Sequence, residues 1–193
     1  MRKNIVLCGV GGQGTVLASR LISAAAMAKG LPVMSAETIG MAQRGGSVFS
    51  HLRLGDNVYS PMIARGEADL ILGFEPGEAV RMLPYLKPGG QVVVSNRAVM
   101  PVTASLSGAA YRAEDMLSFL RDHVERLMVV DAERALAEVG SSKVLNLILL
   151  GAALESGALG LTEEDLRNAI LEKIPEKFHA LNLKALEWAK QEE

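Results

Sequence analysis

Apolar residues run without interruption over Ile5–Cys8 and again over Leu70–Phe74, which predicts strands buried on both faces. Between them the period changes. Thr15–Lys29 is rich in Ala and Leu and is stopped by Gly30 and Pro32, the pattern of a helix, and Leu31–Ala36 reads as a second strand. Val48–Leu54 alternates as a strand does. Gly55-Asp56-Asn57 supplies turn chemistry after it, so Val58–Ser60 is expected to return as an antiparallel partner before Pro61. A helix over Pro76–Leu86 closes at Lys87-Pro88-Gly89-Gly90 and leads into a strand at Gln91–Ser95. Asn96–Arg112 has little periodicity and reads as a long loop. A helix at Met116–Val124 and a strand at Leu127–Asp131 follow.

From Ala132 onward helix follows helix. Thr162-Glu163-Glu164-Asp165 opens one of them with a capping-box pattern, Asp165 standing where Glu or Gln is usual. Pro175 opens the last, which ends in a frayed, acidic Gln191-Glu192-Glu193. Alternating strands and helices followed by a helical segment predict an α/β fold. The expected form is a mainly parallel Rossmann-like sheet with an inserted antiparallel hairpin. Residues 1–193 are read as one domain, with an α/β core over about 1–140 and a helical tail over about 141–193.

Composition narrows the function classes. With 49% hydrophobic residues, a chain of this size folds around its own core and needs no metal or disulfide for stability. Nine Met against four Phe point to adaptable aliphatic packing. A net charge of -2 offers no field for nucleic acid or an anionic membrane. The single cysteine, Cys8, excludes a disulfide framework and any cysteine-ligated iron–sulfur cluster built from this chain alone. It fits a reducing, cytoplasmic setting. The stretch Val144–Leu154 is broken by Asn146 and Gly151 and is too short to span a membrane, and Met1–Asn4 enters a strand without a signal-peptide core.

Two glycine-bearing segments carry the candidate chemistry. Gly9, Gly11 and Gly14 satisfy G-x-G-x-x-G between a strand and a helix, the context in which open amides at a helix N-terminus receive a carboxylate or phosphate. The same glycines also suit close strand–helix packing alone. A nicotinamide-cofactor reading requires an acidic residue ~20 positions further on, and Glu37 keeps it open. No acid–base set supports hydride transfer, because His51, His123 and His179 lie in unrelated segments. The second segment runs from Glu37 to Gly46 and reads as a functional loop or short helix. Within it Arg44, between Gln43 and Gly45-Gly46, can bring a planar guanidinium close to a carboxylate or phosphate. An internal pair with Glu37 is the alternative. Gln13 can orient the first loop through hydrogen bonds.

Taken together, Gly11-Gly12-Gln13-Gly14 and Gly40-Met41-Ala42-Gln43-Arg44-Gly45-Gly46, followed by Ser50-His51-Leu52-Arg53, resemble the gamma-type domain of 2-oxoacid:ferredoxin oxidoreductases. The run before Arg44 is most similar to the indolepyruvate type. The resemblance covers Ile5 to about Leu154. It implies a subunit of a complex that oxidatively decarboxylates arylpyruvates to acyl-CoA with ferredoxin as acceptor. It places thiamine diphosphate and the iron–sulfur clusters on a larger alpha subunit and makes coenzyme A a co-substrate of the complex. This chain alone is then expected to bind none of them and to be inactive. Gly55-Asp56 matches the opening of a thiamine diphosphate motif, but no Asn-Asn pair completes it. Ligand- or partner-contacting loops are therefore expected at Gly11, Gly12, Gln13 and Gly14 and at Gln43, Arg44, Gly45 and Gly46, at the carboxyl ends of adjacent strands. An NAD(P)-binding oxidoreductase, or the same role in a pyruvate or 2-oxoglutarate enzyme, remains the alternative.

Overall fold

A computed structural model of the chain describes residues 2–37, 45–100 and 111–192, the last two by backbone only. Among the described residues six strands form one sheet: β1 (Lys3–Val10), β2 (Val33–Glu37), β3 (Ser47–Leu54), β4 (Ala68–Gly73), β5 (Leu86–Ser95) and β6 (Arg126–Val130). Their spatial order is β2-β3-β1-β4-β5-β6. β1, β4, β5 and β6 are parallel, whereas β3 pairs antiparallel with β1 on one side and β2 on the other. The unbroken apolar runs of β1 and β4 are buried on both faces because helices cover both.

On one face lie α1 (Thr15–Ala28), α4 (Ala132–Val139), α5 (Leu145–Glu155), α6 (Glu163–Lys173) and α7 (His179–Glu187). On the other lie α2 (Pro76–Met82) and α3 (Ala113–His123), packed over Val6, Ile71, Val92 and Val94. α5 is apolar all round and has nine of its eleven residues buried, which makes it the central helix of the first layer. It touches α1, α4 and α7, and a Cβ at Gly151 would lie 2.1 Å from the Leu186 carbonyl oxygen. That close crossing requires glycine. The tail is thus continuous with the core cluster. Trp188 Nε1 donates to Glu138 Oε2 at 2.6 Å, and Lys29 Nζ pairs with Asp165 Oδ2 at 2.8 Å. The capping box at Thr162 and Asp165 forms as expected, with reciprocal bonds of 3.2 and 2.7 Å.

Three expectations need correction. Val58–Ser60 does not return as a strand; the antiparallel strand β3 is inserted between β1 and β2. Side chains hold the following loop instead of a ladder. Arg53 Nη1 donates to the Ser60 and Met62 carbonyls at 3.1 and 3.2 Å, and the Ile63 N–H donates to His51 Nδ1 at 2.9 Å. The helix from Pro76 ends at Met82 in a 3-10 turn, Leu83–Tyr85, because Pro84 lacks the N–H that would continue it. β5 accordingly starts at Leu86, ahead of the glycines expected to close that helix. Residues 101–110 of the expected long loop lie outside the described residues.

Candidate functional site

The carboxyl ends of β1, β4, β5 and β6 share one edge of the sheet, and β3 begins there because it runs the opposite way. β1 leaves the sheet at Val10 and bends at once: the Gln13 N–H donates to the Val10 carbonyl at 3.2 Å, and the Val10 N–H donates to Gln13 Oε1 at 2.7 Å. Gln13 Nε2 then donates to the Phe74 carbonyl at 3.0 Å, tying the loop to the end of β4. Gly14 closes the bend at φ 87° and stands as N-cap of α1 with no side-chain capping bond. The first helical bond joins the Ala18 N–H to the Gly14 carbonyl at 3.0 Å. The first-turn amides are therefore left to whatever approaches, at the positive end of a 14-residue helix.

The second glycine segment meets the first here. The Gly11 N–H donates to the Gly46 carbonyl at 2.8 Å, and the Gly45 N–H donates to the Gly11 carbonyl at 3.2 Å. The first bend, with the start of α1 and Val48 of β3, borders a shallow depression of about 350 Å³, lined by Gly11, Gly12, Gly14, Thr15, Val16, Arg20 and Val48. Arg20 adds a cationic side chain to the helix dipole. Gln43 and Arg44 lie outside the described residues, as does the alternative Glu37–Arg44 pair. Glu37 itself ends β2, which β3 separates from β1, so it stands two strand spacings (about 10 Å) from the glycine bend rather than one. That is a poor position for an acidic residue meant to reach a ribose beside the loop.

Sequence reasoning missed a buried acidic pair under the same rim. Glu75 and Glu78 are each 1% exposed. Glu75 caps α2, accepting the Glu78 N–H at 2.9 Å, and it accepts the Tyr111 hydroxyl proton; that hydroxyl in turn accepts the Gly77 N–H at 3.0 Å. Burial holds the Glu75 carboxyl above its ordinary range, against the downward pull of those bonds. Burial, with Glu75 beside it, also pushes the Tyr111 hydroxyl up. Glu78 Oε2 accepts from Ser47 Oγ at 2.6 Å and pairs with Arg81 at 3.5 Å, which anchors the base of the second loop. The only advance signal was Glu75-Pro76 between a strand and a helix.

Cys8 is buried, and its thiol is pushed well up by burial, then by Glu78 and Glu75, so it packs as a protonated thiol and is no nucleophile. The histidines serve their own segments. His51 Nδ1 accepts from Ile63, and its ring packs between Phe49 and Tyr85; burial lowers its pKa. His123 stacks on Phe119, and His179 Nε2 meets the Ile174 carbonyl at 2.6 Å. What the rim offers is a set of backbone amides with positive potential, suited to an anionic group or to a partner backbone. Among the described residues no helix is long and apolar enough to cross a membrane.

Comparison with known proteins yields a consistent set. Residues 4–192 match the pyruvate ferredoxin/flavodoxin oxidoreductase family. The chain is 39% identical over 186 residues to an indolepyruvate oxidoreductase subunit IorB of Thermococcus kodakarensis, covering 95% of this chain and 92% of that one. The fold is that of a keto/oxoacid ferredoxin oxidoreductase gamma subunit from Geobacter sulfurreducens, with TM-score 0.69, 22% identity and coverage of 98% and 96%. It also matches part of a 2-oxoglutarate:ferredoxin oxidoreductase from Magnetococcus marinus solved with 2-oxoglutarate, coenzyme A and succinyl-CoA bound. There the TM-score is 0.70 at 20% identity, and the match covers 98% of this chain and 31% of that one.

Proposed function

Because this chain belongs to the pyruvate ferredoxin/flavodoxin oxidoreductase family, we propose that it is the indolepyruvate-type subunit whose paired glycine bends complete a reaction centre carried by a larger chain. The complex oxidatively decarboxylates an arylpyruvate: carbon dioxide leaves, two electrons pass to ferredoxin, and coenzyme A takes the acyl group. Thiamine diphosphate and the iron–sulfur clusters belong to the partner. A chain with one cysteine cannot ligate such a cluster, and it has no Asn-Asn pair to finish a thiamine motif.

The observation that carries the proposal is the reciprocal bonding of Gly11 to Gly45 and Gly46, which makes one receiving rim from two loops. Of Gly11, Gly12, Gln13 and Gly14, Gly11 and Gln13 spend their own N–H groups on shaping the bend, which leaves the Gly12 and Gly14 amides for a phosphate-bearing group such as coenzyme A; Gln43, Arg44, Gly45 and Gly46 supply the second set of contacts, to that group or to the partner. The amides at the α1 N-terminus, with Arg20 nearby, fit a phosphate without a dedicated charged cradle. The aryl preference is supported by the identity to the indolepyruvate subunit over nearly its whole length.

Reconstitution tests the proposal. Mixed with a thiamine-containing large subunit, the chain should confer arylpyruvate- and coenzyme A-dependent reduction of ferredoxin or a viologen, and do so better with indolepyruvate than with pyruvate or 2-oxoglutarate. A large subunit that works equally well without this chain removes the assignment.

A further inference from the structure

On the second face of the sheet α2 packs on β1, β4 and β5, and α3 packs beside α2. β3 is covered there by the loop that follows it, and β2 is the edge strand beyond. Register fixes the side chains on this flank: His51 lies opposite Val6, Arg53 opposite Asn4, and Met34 of β2 opposite Arg53. Arg53 is only 8% exposed, yet among the described residues no carboxylate comes within ion-pair distance of it. Its Nε donates to Asn4 Oδ1 at 3.0 Å, and Nη1 is engaged by the Ser60 and Met62 carbonyls. The acid on the far side of Asn4, Asp69, is already occupied: it accepts the Asn4 N–H at 2.7 Å and pairs with Lys87. Nη2 has no hydrogen-bond partner among the described residues and still reaches the surface. A guanidinium buried to this degree without a counter-charge is costly, and its free nitrogen suits a carboxylate.

The loop that Arg53 holds displays two large apolar side chains to solvent, Tyr59 at 86% exposure and Met62 at 53%. It does so from a braced platform. The Ile63 N–H donates to His51, the Met62 N–H donates to Ser60 Oγ at 3.2 Å, and Ile63 itself is buried in the core. Side chains displayed from an ordered backbone lose little freedom when a partner covers them. Tyr, Met and Arg are also the residue types enriched in protein–protein interfaces. We propose that Arg53, Tyr59 and Met62 form a second docking point for the large partner chain, which sets a carboxylate beside Nη2 and covers both apolar side chains. β3 runs from the glycine rim at Ser47 to Arg53, so a chain seated on the rim extends only about 25 Å along this strand to reach the surface. The proposal rests on reading this chain as a subunit, and it adds where a second contact lies and which charge the partner brings to it.

Association is measured by titrating the full chain into the large subunit, with melting of the free chain followed in parallel. Tyr59→Ser combined with Met62→Ser changes exposed side chains only. It should leave the melting temperature unchanged and weaken association about tenfold or more. Arg53→Gln should weaken association by a similar factor, and Arg53→Lys, which keeps the charge without the fork, should recover part of the loss. In the natural complex, hydrogen exchange at residues 58–63 should slow relative to the free chain. Natural affinity in the double variant, or unchanged exchange at residues 58–63, overturns the inference and leaves the subunit assignment standing. A free chain that forms a dimer in sedimentation, abolished in a double variant that still binds the large subunit normally, assigns the surface to a second copy and also overturns it. A natural chain that does not associate with the large subunit removes the assignment and the inference together.

Discussion

Gln13 is the joint on which the rim turns, and removing it gives a quantitative test. Its side chain makes two bonds to main chain, accepting from Val10 at 2.7 Å and donating to Phe74 at 3.0 Å. At ~1 kcal/mol net for each, Gln13→Ala should destabilise the fold by about 2 kcal/mol, and by more if water fails to reach the abandoned Val10 N–H. For a domain of this size that is a fall in melting temperature of about 4–8 °C. Gln13→Met fills the same volume without the polar ends, so it separates hydrogen bonding from packing and should lose nearly as much. The second loop is braced to the same β4–α2 segment by Ser47 on Glu78, and the two loops are bonded to each other at Gly11. A double-mutant cycle of Gln13→Met with Ser47→Ala should therefore show coupling of about 0.5 kcal/mol or more. Chemical denaturation of the four proteins gives the numbers. A Met variant as stable as the natural chain, or strictly additive effects, would refute the picture of a single braced rim.

Gly151→Ala drives a methyl group to 2.1 Å from the Leu186 carbonyl and must push α7 off α5. A loss of about 3 kcal/mol in chemical denaturation is expected, and a loss below about 1 kcal/mol would show that the crossing relaxes freely. Glu75 titrates above its ordinary 4.5 because it is buried. Its contribution to stability is complete below that ordinary value and is lost as pH climbs through the raised folded value. Glu75→Gln removes the dependence, so the melting temperature of the variant relative to the natural chain should climb as pH rises above the ordinary carboxylate value of 4.5; parallel curves would contradict the shift. Arg44→Ala should lower turnover of the assembled complex far more than it lowers the melting temperature of the subunit. Equal losses would mean that the guanidinium serves the loop itself.

The layered α/β architecture was legible because its signals are local. β1 and β4 announce themselves as unbroken apolar runs, α1 through its Ala-rich stretch between glycines, and α6 through Thr162 and Asp165. The glycine bend was legible for the same reason: strand, glycines and helix lie within a dozen residues. Non-local contacts were not. Nothing in Val58–Ser60 distinguishes a returning strand from a loop that Arg53 and His51 hold by their side chains, since both need the same turn chemistry at Gly55-Asp56-Asn57. Glu75, Glu78 and Tyr111 converge only after β4 and the segment before α3 are brought together, and a glutamate before a proline reads as a solvated helix start. Asn146 registered in the sequence only as an interruption of an apolar run, although that interruption is where the tail touches the rim.

The inserted β3 explains why the two loops meet. In a wholly parallel sheet the strand beside β1 would begin at the opposite edge, and the loop leaving it would depart toward its own helix. An antiparallel neighbour instead begins at the edge where β1 ends, so the residues before β3 must stand beside the residues after β1. Ser47 pairs with Val10, and one step beyond that last pair Gly46 is held against Gly11 by main-chain bonds. The same insertion moves Glu37 away from the bend. One topological choice therefore withdraws the acid a dinucleotide site would use and adds a second set of main-chain groups to the rim. A rim built this way takes its geometry from sheet register rather than from charged side chains.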